Sequence, residues 1–128
     1  MARAVLDASA VIALLRGEPG AEVVAEHAGD ALISTVNLQE VIKAMLTRGI
    51  TLEVAREMIG ALHMEARSHD VADAYGAAAL HAATAVHGSG LGDRTCMALA
   101  IAEGLPAITT DRQWAGLAIP GLTVKLAR

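Results

Sequence analysis

Short apolar runs alternate along this chain with longer stretches of helical period. Ala4-Val5-Leu6, Ala31-Leu32-Ile33 and Ala107-Ile108-Thr109 are brief, apolar and bounded by polar or turn residues, the pattern of buried strands. Val11, Ile12, Leu14 and Leu15 recur at helical spacing from about Ser9 to Arg16, where Gly17-Glu18-Pro19-Gly20 stops the helix. A second helix spans Ala21 to Ala28. A third starts at a Ser34 or Thr35 cap and runs to Arg48, with Leu38, Val41, Ile42, Met45 and Leu46 on one face and Gly49 as its stop. Thr51 caps a helix from Leu52 to about Met64, and a weak strand follows around Ala66 to Ser68. Asp70 or Val71 then opens a long Ala-rich helix ending near His87-Gly88. After the loop Gly88–Gly92, a helix from Thr95 to Ala102 is apolar on nearly every side, which predicts burial between other elements. Leu122-Thr123-Val124-Lys125 reads as the last strand. Alternating strands and helices predict an α/β fold: a three-layer α/β/α sandwich with a central parallel sheet of four to five strands, in one domain over residues 1–128.

Composition refines this picture more than it changes it. Hydrophobic residues make up 54% of the 128, but 28 of them are Ala, so the chain is less greasy than that share implies. Ala is the best helix former and buries little, which favours tightly packed helices. No apolar run reaches the roughly 18 residues that a membrane-spanning helix requires, and Asp7 interrupts the stretch where a signal peptide needs its apolar core. A single cysteine excludes an internal disulfide framework and fits a cytoplasmic protein. The net charge of −4 argues, taken alone, against nucleic-acid binding driven by Lys and Arg.

Candidate chemistry lies in where the acids fall. Ligands of open parallel sheets sit outside the carboxyl ends of the strands. Asp7 follows the first strand and Asp111 the strand ending Ile108-Thr109. Asp93 opens the buried helix that runs antiparallel to that strand, so it starts at the same edge. Asp is also a preferred N-cap, and capping explains each of the three singly. Three at one rim are harder to explain so, because clustered carboxylates repel one another and are usually tolerated for a cation. Periodicity places Glu40 nearly opposite the stripe of Leu38, Val41, Ile42 and Met45, on a solvated face.

Four segments together resemble a known family. Val5–Leu14 resembles the opening of PIN-domain proteins, Ser34–Val41 their second acidic segment, Gly90–Ala100 their third and Leu105–Trp114 their fourth. Their order, spacing and total length resemble the VapC-type toxins of bacterial toxin–antitoxin pairs, over essentially the whole chain. The resemblance implies a Mg²⁺- or Mn²⁺-dependent endoribonuclease in which Asp7, Glu40, Asp93 and Asp111 form the acidic, metal-holding set. It implies support of that site by hydrogen bonds from Ser9 and Thr109, and it turns Glu40 from a surface acid into a ligand. It further implies an RNA substrate, a cognate antitoxin, a homodimer and a cytoplasmic location. The alternative is a catalytically inactive PIN-like binding or scaffold protein.

Other readings fit less well. A haloacid-dehalogenase-like phosphatase wants a second Asp where Ser9 stands, a receiver-like module lacks its acidic pair beside the first strand, and no GxGxxG or GxxxxGK loop occurs. The five histidines show no zinc spacing. Cys96 and Trp114 read as core residues, with RNA stacking the other use for Trp114. Arg94 and Arg112 follow site acids and read equally as phosphate contacts or solvated cations; Lys43 reads as a rim residue or as the ion-pair partner of Glu40. Neutralising the four rim acids with bound metal leaves 10 of the 14 acids against 10 bases, so the bulk charge no longer argues against an RNA partner.

Overall fold

A computed structural model describes all of residues 1–128. Five short strands, β1 (Ala4–Leu6), β2 (Ala31–Ser34), β3 (Glu65–Arg67), β4 (Ala107–Thr109) and β5 (Val124–Leu126), form one sheet in the order β3-β2-β1-β4-β5. Every neighbouring pair is parallel, with Val5 opposite Leu32 on one side and Leu6 opposite Ile108 on the other. Seven helices connect them: α1 (Ala8–Arg16), α2 (Ala21–Ala28), α3 (Thr35–Leu46), α4 (Leu52–Gly60), α5 (Val71–Ala78), α6 (His81–Thr84) and α7 (Leu91–Glu103). Two 3₁₀ turns lie at Ala85–His87 and Arg112–Gly116. This is the predicted three-layer α/β/α sandwich, at the upper end of the expected strand count. No helix is long and apolar enough to cross a membrane.

Side chains of successive strand residues point to opposite faces, and the core divides accordingly. Leu6, Ile33 and Ile108 pack with Val11, Val24, Val41 and Met45 beneath α1 to α4. Val5, Leu32 and Ala107 pack with Cys96, Met97, Leu99, Ala100 and Trp114 on the α7 side. Full burial of each Leu, Ile or Val side chain stabilises by about 1.5–3 kcal/mol relative to exposure. Trp114 is only 1% exposed, so it is a core residue and offers no face to RNA. Cys96 is buried, as its apolar helix implied.

Three elements differ from the sequence expectation. The Ala-rich segment is not one helix: α5 ends at Ala78, and Leu80, with φ −85° and ψ 1°, turns in to pack against the α7-side core. Helix propensity favoured continuity, but a segment with few large apolar side chains is shaped by whichever one finds the core. The helix expected from Thr95 starts four residues earlier, at Leu91, because Gly90 serves as an extended N-cap whose amide is held by Asp93 Oδ2 at 3.1 Å. The helix expected to reach Met64 ends at Gly60, before a turn in which His63 adopts φ 57°.

From β1 the chain crosses to β2 and β3 on one side, then returns to place β4 and β5 on the other. The strand order therefore reverses between β1 and β4, and connections leaving in opposite directions open a crevice at the carboxyl end of that pair.

Gly20 fixes the start of α2 against the end of the sheet. Its φ is +96°, and a Cβ there would lie 2.6 Å from the backbone oxygen of Ala127. Gly17 is also left-handed, at φ +64°, but a Cβ would meet nothing within 4 Å. Gly17→Ala should therefore cost only backbone strain, about 1 kcal/mol. Gly20→Ala adds a clash with main chain and should cost at least about 2 kcal/mol. Urea unfolding of both variants checks the ranking, and equal losses would contradict it.

Candidate functional site

Asp7 stands immediately after β1, at the reversal point, and its amide bonds the carbonyl of Ile108 at 3.0 Å. The N-cap reading of Asp7 fails: its side chain accepts no bond from an α1 amide. Instead its Oδ2 accepts the hydroxyl of Ser9 at 2.7 Å and that of Thr109 at 2.9 Å. Each hydroxyl has one proton, and both point at Asp7. The 3.2 Å approach between Ser9 Oγ and Thr109 Oγ1 is then packing rather than a further bond. The same two oxygens accept from the next loop, Ser9 Oγ from the Thr110 amide and Thr109 Oγ1 from the Asp111 amide, both at 3.1 Å. A single network thus ties β1, α1 and the segment after β4 together and fixes the Asp7 carboxylate. Asp7 Oδ1 takes no protein hydrogen bond and keeps some contact with solvent.

Asp93 is the third residue of α7, half-buried, with its Oδ2 on the Gly90 amide. Asp111 does act as a cap, its Oδ1 accepting from the Gln113 amide at 3.0 Å at the start of the 3₁₀ turn. Glu40 is exposed, as periodicity implied, yet it is not a free surface acid. Its carboxylate lies against Gly92, where a Cβ would fall 2.1 Å from Oε1, so the rim closes only because position 92 has no side chain. Periodicity located the stripe of α3 that faces the core; it carried no information about the second neighbour, α7, that meets the opposite face.

Asn37 was absent from the candidates, although the order Asn37-Leu38-Gln39-Glu40 puts it one turn before Glu40. It is fully buried on α3, and its Nδ2 donates to Glu40 Oε2 at 3.0 Å and to the Gly92 carbonyl at 2.9 Å. Its Oδ1 has no partner, an arrangement that typically costs about 1–3 kcal/mol. A polar residue at a buried helical position was the available signal, but burial at that position is legible only once α7 is placed.

The carboxylates act on one another in a chain, Glu40 and Asp93 on Asp7 and Asp111 on Asp93. Burial is the main reason that the Asp7 carboxyl is pushed up to about 6 from an ordinary 3.8; the Ser9 and Thr109 bonds oppose this, and the charges of Asp93 and Glu40 add to it. Asp93 is also raised, by burial and by Asp111, against the Gly90 amide and Arg94. The ion pairs of the molecule lie elsewhere, with Glu18, Glu65 and Glu103 as the acids. Arg94 directs its guanidinium to the Ser89 carbonyl at 2.7 Å, while Arg112 and Lys43 are exposed and Lys43 makes no pair with Glu40. No three of the acids converge at coordinating distance on one point. Mg²⁺ is commonly held by one or two carboxylates together with several waters and a substrate phosphate. Five clefts of the molecule are lined by residues other than these four acids.

A carboxyl whose folded pKa lies above its unfolded value favours folding fully only below that unfolded value. Between 3.8 and about 6 the unfolded chain loses its proton first, so stability falls as pH rises. At pH 7 the ionised Asp7 then costs the metal-free fold up to about 3 kcal/mol. Asp7→Asn keeps an acceptor for both hydroxyls and removes the charge. It should be more stable than wild type at pH 7 in EDTA, with the gap closing near pH 4. A gap that is the same at both pH values, measured by chemical denaturation, would contradict this origin.

The PIN domain family description matches residues 4–120 of the chain. Comparison with functionally described proteins returns no significant match. Among solved structures, a chain of DNA-bound VapBC from Salmonella typhimurium superposes with a TM-score of 0.74 at 19% identity, covering 100% of both chains. A chain of a toxin–antitoxin complex from Klebsiella pneumoniae gives 0.71 at 21% identity, covering 94% of this chain and 95% of that one. VapBC2 from Rickettsia felis, bound to a fragment of promoter DNA, gives 0.71 at 16% identity over 96% and 97%. At such identities the likeness is one of fold. The family match over nearly the whole length, on a sheet whose reversal point carries the acids, shows that this chain belongs to the PIN domain family.

Proposed function

We propose that this protein is a Mg²⁺- or Mn²⁺-dependent endoribonuclease and the toxin of a toxin–antitoxin pair. The observation that carries the reading is the rim itself: Asp93 and Glu40 both act on the buried Asp7, Asp111 acts on Asp93, and no Lys or Arg forms an ion pair with any of the four. Such a set is unfavourable without a cation and well suited to one. Asp7, Glu40, Asp93 and Asp111 would hold the ion, directly or through its waters. Ser9 and Thr109 fix the Asp7 carboxylate through Oδ2 and leave Oδ1 for the ion. A divalent ion bound there supplies a water of lowered pKa and neutralises charge on the phosphate. Acids gathered at the edge of the sheet suit an extended chain laid across it. The toxin–antitoxin complexes among the similar folds support a cognate antitoxin as partner; the homodimer and the cytoplasmic location are inferred with the toxin role.

Purified wild type and Asp93→Asn, incubated with defined RNAs and with DNA of the same sequence, test this directly. Wild type should cleave RNA with Mg²⁺ or Mn²⁺ and stop in EDTA. Asp93→Asn should lose more than about 100-fold, beyond the range usual for groups outside the metal's ligand set. Equal cleavage by both proteins would indicate contaminating ribonuclease. Absence of both cleavage and metal binding would favour the scaffold alternative.

Charge gives a second test. Metal-free wild type should bind RNA poorly, because the acidic rim repels phosphate, and metal should strengthen binding at constant ionic strength. Tight binding in EDTA, unchanged by Asp7→Asn, would contradict the reading.

A further inference from the structure

We propose that Asn37 is a positioning residue: with the Cβ-free Gly92, it presets the Glu40 carboxylate at the acidic rim. This rests on reading Glu40 as a metal ligand. Glu40 is exposed on α3, and a free glutamate there would sample several rotamers, most of them away from Asp7 and Asp93. Two features remove that freedom. The Asn37 amide, itself fully buried, donates one proton to Glu40 Oε2 and the other to the Gly92 carbonyl. Gly92 in turn leaves the space that the carboxylate occupies, since a Cβ would stand within 2.6 Å of all three terminal atoms of Glu40. The amide therefore works as a two-pronged gauge, measuring Glu40 on α3 against the first turn of α7, one residue before Asp93.

The choice of residue supports a role beyond packing. Asn is a weak helix former, and here its Oδ1 is buried without a partner. An apolar side chain of similar size would fill the position without either penalty. Only the two amide protons distinguish Asn, and both are directed at the rim.

Mn²⁺ titration of the whole protein, without RNA, tests the proposal by calorimetry or by the signal of free Mn²⁺. Asn37→Ala and Gly92→Ala should each weaken Mn²⁺ binding by about 10–100-fold, the range for groups that orient a ligand. Gly92→Ala should still fold, because the clash is with the end of a flexible side chain, so it and its double variant carry the test if Asn37→Ala does not fold. In a Glu40→Ala background, both further substitutions should change affinity less than twofold, since their effect passes through the carboxylate. A purely structural role would persist in that background and would overturn the proposal. Unchanged affinity in Asn37→Ala and Gly92→Ala, beside weakened binding in Glu40→Ala, would overturn it while leaving Glu40 a ligand. Wild-type affinity in Glu40→Ala would remove the ligand reading and the proposal together.

Discussion

A carboxylate taken out of water at the parting of two parallel strands is the constraint around which this molecule is arranged. Asp7 is 4% exposed and has no ion-pair partner. Its two hydroxyl donors orient it without neutralising it, and two further acids add to its discomfort. The fold accepts this because the position is fixed by the central, fully buried strand of the sheet. β1 is buried on both faces and hydrogen-bonded on both sides, so the residue that follows it has little freedom to escape. Strain of this electrostatic kind is common where a protein prepares a place for something it does not itself contain.

The other acids are delivered by elements with different degrees of support. Asp93 rides on α7, whose Cys96, Met97 and Ala100 are buried in the core, so its pose is inherited from packing. Asp111 is held by its own cap and by the Thr109 hydroxyl. Glu40 comes from α3, and the buried Asn37 amide donates to its carboxylate there.

Much of this was legible in the sequence. Burial patterns with the periods of strand and helix located four of the five strands closely, and the edge rule for parallel sheets brought Asp7, Asp93 and Asp111 together. The same reasoning misplaced the start of α7, since Gly90-Leu91-Gly92 reads as a loop until Asp93 is seen to hold the Gly90 amide. It made one helix of Val71–His87, because Ala content speaks for helix and says nothing of where Leu80 must go. Asp7 was not separable from an N-cap, and Asn37 was not separable from an ordinary helix residue. Both distinctions depend on partners about 50 to 100 residues away in sequence: Thr109 for Asp7, and Gly92 for Asn37.

The place of the acids at the edge of the sheet has a consequence for what can be handled there. A closed cleft selects by enclosure, so a long chain must offer it a free end or be bent to fit. A rim at the edge of a sheet imposes no such entry condition. On the proposed endoribonuclease reading, a strand is laid across it from the side at an internal point, and selection then falls to whatever the surrounding loops touch on either flank. On that same reading, the fold separates the place of cleavage, set by β1, β4 and α7, from the surfaces that choose which bond is cut.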